Sequence, residues 1–236
     1  MAKRNYAKRE TKEYNFLTEV FQWIAVWLVT MPYVFLFNRV KVFGRENIEN
    51  GKSYLVAPTH SGYLDPILTS YATKRPIAYM AKKELYDIKW LCPLIVALGT
   101  FAVNRAKLEI ATIRTAQAIM KTNHWLLSMF PQGTRDDVKE ITKINPGFAY
   151  LSRMAKADIL PISITGSEKL FRAPFSGNIV IKIGKPFAPS KSMADTMKNW
   201  CDAIEELGDY KVAQSTLDKI EKTREKDKNE STDSEG

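Results

Sequence analysis

The chain has 236 residues, of which 45% are hydrophobic and 26% are charged, and its formal net charge is +9 at pH 7. This composition is typical of a globular domain, and two cysteines are too few for a disulfide scaffold or a multi-cysteine zinc site. The basic charge favours an anionic partner: nucleic acid, anionic lipid or a phosphorylated substrate. Chemistry that needs an imidazole has only two candidates, His60 and His124.

An apolar stretch follows the basic N-terminus, and its uncharged part runs from Val20 to Phe37. This is at or below the roughly 20 apolar residues that a membrane-spanning helix needs, and Pro32 would kink a helix. We therefore expect residues 1–40 to form a membrane-associating element of one broken or two short helices that enter one leaflet. The preceding lysines and arginines would meet anionic headgroups. A buried core hairpin and a true span are the alternatives.

Beyond this element, short strand patterns alternate with helical patterns. Strands are predicted at 53–57, 77–81, 100–104, 126–130, 159–165 and 178–184. Helices are predicted at 66–73, 83–98 (interrupted by Pro93), 107–122, 147–157 and 192–207, the last with Ser192 as N-cap. The alternation predicts an α/β domain over 41–210, with a mixed, largely parallel sheet flanked by helices. Residues 211–236 are charged and are predicted to be disordered.

The segment HSGYLD places His60 after the first predicted strand and Asp65 at the start of the following helix. A turn between them would bring the carboxylate to one nitrogen of the imidazole. The carboxylate would then fix the tautomer and support the imidazolium that forms when the other nitrogen takes a proton. The spacing alone is equally compatible with a surface histidine and a plain helix cap.

Cations follow other predicted strands, at the edge of the sheet where active sites of α/β domains gather. Arg105 ends the segment GTFAVNR, Arg135 ends FPQGTR, and Lys82 and Lys83 follow a third strand. Guanidinium groups bind phosphate through a rigid fork, and Gly133 permits a close approach of backbone to a ligand. Each arginine alone could be a solvated loop charge, whereas together these residues would form a phosphate pocket.

Four ordered segments resemble the glycerolipid acyltransferase family, in particular its 1-acyl-glycerol-3-phosphate acyltransferases. They are HSGYLD at 60–65, GTFAVNR at 99–105, FPQGTR at 130–135 and ILPI at 159–162, and AKKEL at 81–85 is similar to the lysine segment of that family. The resemblance covers about 42–186 of the sequence. Any one segment is a weak signal, whereas four in order are specific.

The resemblance implies that His60 is the general base and Asp65 its orienting partner. It also implies that Arg105, Gly133, Thr134 and Arg135 hold the acceptor phosphate, with Lys82 or Lys83 adding charge, and that the segment around Pro161 shapes the site or its acyl side. The expected reaction is transfer of an acyl chain from a thioester of coenzyme A or acyl carrier protein to lysophosphatidate. It needs no metal and no further cofactor. The expected location is the cytoplasmic face of a membrane.

The segment FPQGTR departs from the family pattern, because Gln132 stands where a glutamate is usual. Glutamine retains the acceptor oxygen but loses the charge, so it replaces glutamate only where that residue acts as a hydrogen-bond acceptor. The departure leaves two alternatives open: a different acceptor, such as glycerol 3-phosphate or another lysophospholipid, and a non-catalytic lipid-binding protein. A nucleic-acid binder is disfavoured, since no binding motif for DNA or RNA is present.

Overall fold

A computed structural model describes residues 5–103, 109–135, 139–169 and 173–232. The strands are β1 (Asn38–Phe43), β2 (Leu55–Pro58), β3 (Ile77–Lys82), β4 (Phe101–Val103), β5 (Leu126–Ser128), β6 (Glu140–Ile141), β7 (Ile159–Thr165), β8 (Gly177–Ile183) and β9 (Lys211–Val212). Seven of them form one sheet in the order β1-β8-β7-β2-β5-β3-β4, and β6 pairs with β9. In the large sheet β7 and β8 pair antiparallel and the other neighbours pair parallel. The predicted mixed, largely parallel sheet is confirmed.

The helices cover both faces of this sheet. They are α1 (Phe16–Trp23), α2 (Met31–Phe37), α3 (Asp65–Thr73), α4 (Leu91–Ala97), α5 (Ile110–Met120), α6 (Gly147–Ala155), α7 (Met193–Glu206) and α8 (Gln214–Thr232). Ser192 caps α7 as predicted, because its hydroxyl accepts from the backbone N–H of Asp195. One buried apolar cluster contains Trp125, Phe148 and Trp200, and a second on the other face contains Val34, Leu68 and Ile181.

Three segments differ from the sequence predictions. The helix predicted over 83–98 is a short 3-10 segment, Lys83–Asp87, followed by α4, and Pro93 lies in the first turn of α4, where a missing N–H costs nothing. β1, which was not predicted, begins at Asn38 inside the presumed N-terminal element and pairs with β8. Residues 214–232 are helical rather than disordered, because α8 buries Thr216 and Ile220.

The apolar N-terminal segment forms one helical run from Phe16 to Phe37, with a π-helical stretch, Ile24–Thr30, between α1 and α2. The π register places the N–H of Met31 on the carbonyl of Val26 just before Pro32, and such insertions commonly accommodate proline within a helix. The run therefore continues through the proline instead of breaking. It is 22 residues long, and its most apolar 18-residue window has mean hydropathy 1.8 and is 24% buried. Its length and apolar composition would suit a membrane-crossing helix.

One stripe of this helical run packs on the domain while the opposite face stays open. Gln22, Met31 and Val34 are buried, whereas large apolar side chains on the other side are exposed. The most exposed are Phe16, Leu17, Trp23, Ile24, Leu28 and Leu36. The core-packing alternative therefore holds for one face of the helical run, and the other face exposes apolar side chains.

Gln22 attaches the helical run to the edge of the sheet. Its amide Nε2 donates to the carbonyls of Ile77 (2.7 Å) and Leu98 (2.8 Å), and its Oε1 accepts from the N–H of Ile77 (2.8 Å). The side chain thus satisfies backbone groups at the start of β3 that no neighbouring strand pairs. A polar residue in an apolar helix is here a specific anchor.

Gln22→Leu is expected to lower the free energy of unfolding by about 2–4 kcal/mol, because it leaves buried backbone groups of Ile77 and Leu98 without partners. Thermal and denaturant unfolding of the purified variant would measure this loss. Leu28→Gln, at an exposed position of the same helical run, serves as the control and should leave stability within about 0.5 kcal/mol. Equal stability of the two variants would contradict the anchoring role.

Candidate active site

Three neighbouring parallel strands deliver the site residues to one edge of the sheet. β2 lies between β7 and β5, so the residues that follow Pro58, Ser128 and Thr165 emerge side by side. The segments after these strand ends contain His60, Gln132 and Ser167 respectively. Because carboxyl ends of parallel strands share an edge, residues far apart in the chain meet here.

His60 and Asp65 form the predicted pair. The distance from His60 Nδ1 to Asp65 Oδ2 is 2.9 Å, the carboxylate is fully buried, and the imidazole is 17% exposed. An ionised carboxylate accepts hydrogen bonds only, so Nδ1 carries the proton of the neutral ring. The free electron pair is then on Nε2, which is the nitrogen suited to take a proton from a substrate.

Asp65 is held by more than the histidine. Its Oδ2 also accepts from the backbone N–H groups of Ser61 (2.7 Å) and Gly62 (2.8 Å), and its Oδ1 accepts from the hydroxyl of Ser167 (2.5 Å). Each of these donors bonds a carboxylate oxygen and restricts rotation of the side chain. The arrangement keeps the acceptor face of Asp65 on Nδ1 of His60.

The turn between the pair depends on glycine at position 62. A Cβ there would lie 2.0 Å from the backbone oxygen of Ser167, well inside any allowed contact. The absence of a side chain allows the loop after β2 to approach the loop after β7, and this approach brings Ser167 to Asp65.

Two residues of the segment after β5 hold His60 from its other sides. The ring of Phe130 stacks on the imidazole with centroids 4.1 Å apart and an interplanar angle of 25°. The buried side chain of Gln132 accepts from the backbone N–H of His60 through Oε1, at 2.7 Å. Gln132 therefore acts as a neutral hydrogen-bond acceptor, a role that does not require the charge of a glutamate.

Gln132→Glu is expected to keep kcat within about threefold of wild type, whereas Gln132→Leu should lower it about tenfold or more. The leucine leaves the N–H of His60 without its partner, a loss of about 1–3 kcal/mol that also loosens the ring. Steady-state rates and unfolding midpoints of both variants provide the measurement. A leucine variant as active as the glutamate variant would contradict this role of Gln132.

A cavity of about 820 Å³ opens beside His60. Such a volume lies within the range of about 300–1,000 Å³ that is typical of ligand sites. Apolar lining comes from the π-helical stretch, α3, β3 and the residue after α4. Polar lining comes from Gln22, from Ser70 of α3, from the segments around 133 and 145 and from α8. The apolar set includes Val26, Ile67, Met80 and Leu98, and the polar set includes Thr134, Lys143, Asn145 and Lys219. The cavity therefore offers a ligand both apolar surface and polar groups.

The cavity wall contains polar side chains that are already partnered. The hydroxyl of Tyr79 donates to the carbonyl of Pro66 and lies 2.8 Å from the hydroxyl of Ser70. Burial raises the pKa of Tyr79 above its ordinary value, so the phenol stays neutral. The hydroxyls of Tyr79 and Ser70 therefore add no charge to the cavity wall.

The predicted phosphate-binding residues are placed differently from one another. Gly133, with φ of 74°, and Thr134 line the cavity next to His60. The guanidinium of Arg135 instead lies 3.6 Å over the ring of Tyr63, and both side chains are exposed. The structure thus brings the FPQGTR turn to the site and holds its arginine on an aromatic ring of the HSGYLD segment.

Other predicted site residues are outside the cavity or outside the described part of the chain. Arg105 and the side chain of Lys82 lie beyond what the structure describes. Lys83 is exposed at the start of the 3-10 segment, and Pro161 lies early in β7 beside Gly184. Neither Lys83 nor Pro161 is among the described residues that line the cavity.

Several site residues were missed by the sequence analysis. Phe130 stacks on His60, Ser167 bonds Asp65, and Lys143 and Lys219 line the cavity. Ser167 follows the predicted strand 159–165, so the strand-end rule could have found it. No comparable signal marks Lys219, which belongs to a segment predicted to be disordered.

A mixed α/β sheet with a His–Asp pair at its carboxyl edge, beside a cavity with apolar and polar lining, suits an enzyme that uses histidine as a general base. A family model described as "Acyltransferase" matches residues 39–165, more than half of the chain. The chain belongs to this acyltransferase family.

Individual relatives agree with the family. A 1-acyl-sn-glycerol-3-phosphate acyltransferase of Bacillus subtilis is 31% identical over 62% of this chain and 73% of its own length. One from Saccharomyces cerevisiae is 25% identical over 70% of this chain and 57% of its own length. The crystal structure of a 1-acyl-sn-glycerophosphate (LPA) acyltransferase, PlsC, from Thermotoga maritima covers 80% of the chain and 78% of that protein, with a TM-score of 0.58 at 22% identity. This last match supports the fold.

Proposed function

We propose that the protein transfers an acyl chain from an acyl thioester to the free hydroxyl of 1-acyl-glycerol 3-phosphate, which gives phosphatidate. The observation that carries the proposal is the buried Asp65 carboxylate 2.9 Å from Nδ1 of His60, beside a cavity lined by both apolar and polar side chains. Family membership and relatives of this activity support the choice of reaction.

In the proposed reaction His60 Nε2 takes the proton of the acceptor hydroxyl as its oxygen attacks the thioester carbon. The new C–O ester bond forms, the C–S bond breaks, and the thiolate leaves with the electron pair of that bond. A thiol similar to free cysteine has a pKa of about 8.5, so it leaves with little acid assistance and can then recover the proton from the imidazolium. Asp65 stabilises the imidazolium between these two proton transfers.

The apolar and the polar lining of the cavity would hold different parts of the lipid. The apolar lining from the π-helical stretch, α3 and the residue after α4 would take an acyl chain, since Val26, Ile67 and Leu98 offer it no polar partner. The turn at Gly133 and Thr134 would face the phosphate, with Arg135 next in the chain and Arg105 as a further ligand that the family resemblance implies. The hydroxyl to be acylated would then lie between these two parts, beside His60.

We propose that the exposed apolar face of the N-terminal helical run enters the membrane from its cytoplasmic side. Leu17 and Leu28 are 75% and 72% exposed, and burying such side chains in lipid is favourable by about 1.5–3 kcal/mol each. A helix that is docked on the domain by one stripe and buried in lipid by the other would place the cavity at the surface where lysophosphatidate resides. Thioesters of coenzyme A and acyl carrier protein, which are both acidic, would approach the basic protein from the aqueous side.

The test is an assay of the purified full chain in lipid vesicles, with acceptors and donors varied independently. Lysophosphatidate with acyl-coenzyme A or acyl carrier protein thioester should give phosphatidate and free thiol in equal amounts. If glycerol 3-phosphate or lysophosphatidylcholine is acylated faster than lysophosphatidate, that compound replaces lysophosphatidate as the acceptor. Absence of thiol release with every pair would indicate the non-catalytic lipid-binding alternative.

A further inference from the structure

Two lysines of the cavity, Lys143 and Lys219, take no part in the mechanism proposed above. Lys143 follows β6 and Lys219 is on α8, and both side chains are exposed. Lys219 lies beyond the residues matched by the family model, which end at 165. The C-terminal helix therefore adds a charged group to a cavity whose other described lining residues lie between Gln22 and Gly147.

Hydrogen bonds hold the two segments that contain these lysines side by side. The hydroxyl of Thr216 donates to the carbonyl of Ile141 (2.7 Å), and that of Ser215 donates to the carbonyl of Thr142 (3.3 Å). Lys219 is one helical turn beyond Ser215 and shares its face of α8, while Lys143 directly follows Thr142. The two ammonium groups therefore belong to adjacent elements at one rim of the cavity.

The surroundings of this rim favour a negative charge. Among residues 5–103, 109–135, 139–169 and 173–225, neither lysine forms an ion pair with a carboxylate. Positive charges on adjacent segments repel each other, and an anion bound between them would relieve this repulsion. Helix α6, nine residues long, begins at Gly147 on the same cavity wall, and the N-terminus of a helix carries partial positive charge.

We propose that Lys143 and Lys219 form an anion-binding site that holds a phosphate of one of the two reactants. This inference rests on the proposed function, since it takes the ligand from that reaction. The phosphate belongs either to the lysophosphatidate acceptor or to the phosphopantetheine-bearing thioester donor. Both sources present the same chemistry to the lysines, and separate measurements on the two reactants distinguish them.

The double variant K143Q/K219Q of the full chain in vesicles is the test. The KM of one reactant should rise by about tenfold or more, the effect of losing charged hydrogen bonds to a phosphate, while kcat stays within about twofold. A higher KM for lysophosphatidate assigns the site to the acceptor, and a higher KM for acyl-coenzyme A assigns it to the donor. K143R/K219R should restore the affected KM, because arginine retains the charge.

The matched control is K211Q/K222Q, which removes two charges from β9 and α8 at positions that do not line the cavity in the described part of the chain. Both KM values of this control should stay within about twofold of wild type, and all variants should unfold at the same temperature. The proposal is overturned if K143Q/K219Q leaves both KM values equal to those of the control, or if it lowers kcat alone.

A binding measurement separates failure of this site from failure of the proposed function. Calorimetric titration of the full chain with coenzyme A and with glycerol 3-phosphate needs no turnover. If the wild-type protein is inactive but K143Q/K219Q binds either probe more weakly than wild type, the anion site is present and the proposed reaction is wrong. If the wild-type protein binds neither probe, or if the variant binds both probes as tightly as wild type, the proposed anion site is wrong.

Discussion

His60→Ala is expected to lower kcat for acylation of lysophosphatidate by about 10²–10⁴-fold, the contribution typical of a positioned general base. The variant loses the nitrogen that takes the hydroxyl proton but keeps the cavity, so the KM for the acceptor should change little. Release of free thiol from acyl-coenzyme A in vesicles that contain lysophosphatidate gives the rate.

His124→Ala is the matched control, because His124 is the second histidine of the chain and is 52% exposed, with its Nε2 3.0 Å from a carboxylate oxygen of Glu19. Its activity should equal that of wild type within about twofold. If His60→Ala kept more than a tenth of the wild-type rate, the imidazole would not be the base.

Asp65→Asn is expected to have an effect of similar size, about 10²–10⁴ in kcat, although the side chain keeps its shape. In wild type one carboxylate oxygen accepts from Nδ1 of His60 and from the N–H groups of Ser61 and Gly62, and the other accepts from the Ser167 hydroxyl. Asparagine has only one acceptor oxygen, so it cannot accept on both sides. The imidazole then loses the partner that holds the proton on Nδ1, so Nε2 is no longer kept free for the substrate.

The tautomer can be observed without turnover. Nitrogen NMR of the imidazoles should show the proton of His60 on Nδ1 in wild type and on Nε2 in a larger fraction of Asp65→Asn, with His124→Ala used for assignment. The variant should also have a lower unfolding midpoint, because buried groups lose their hydrogen-bond partners. The tautomer measurement distinguishes an effect on the imidazole from this general loss of stability. An unchanged tautomer with reduced activity would assign Asp65 a structural role only.

The prediction of the sheet succeeded where local patterns and global packing agree. The apolar run at 159–165 is the buried strand β7, and the strands that precede His60 and the FPQGTR turn are its near neighbours β2 and β5. Charged segments were harder to predict, because their helices depend on a few buried side chains. α8 is the example: Thr216 and Ile220 pack against the domain, whereas the composition of the segment suggests disorder.

The N-terminal segment illustrates a second kind of difference. Its hydropathy and Pro32 suggested broken helices, while the structure continues the helix through a π register and anchors it by Gln22. Both features depend on contacts with β3 and on local backbone geometry, and a hydropathy profile reports neither. Hydropathy could still identify the exposed apolar residues that remain on the other face.

The order of the strand-end segments and the five-residue spacing from His60 to Asp65 can be read directly from the chain, since a single turn between strand and helix connects the pair. The contacts that hold this pair, and the lining of the cavity, depend instead on how the whole sheet packs. Gln132 reaches His60 across 72 positions and Ser167 reaches Asp65 across 102. Such bonds follow from the register and order of the parallel strands, and strand order arises from packing of the whole sheet rather than from any local pattern.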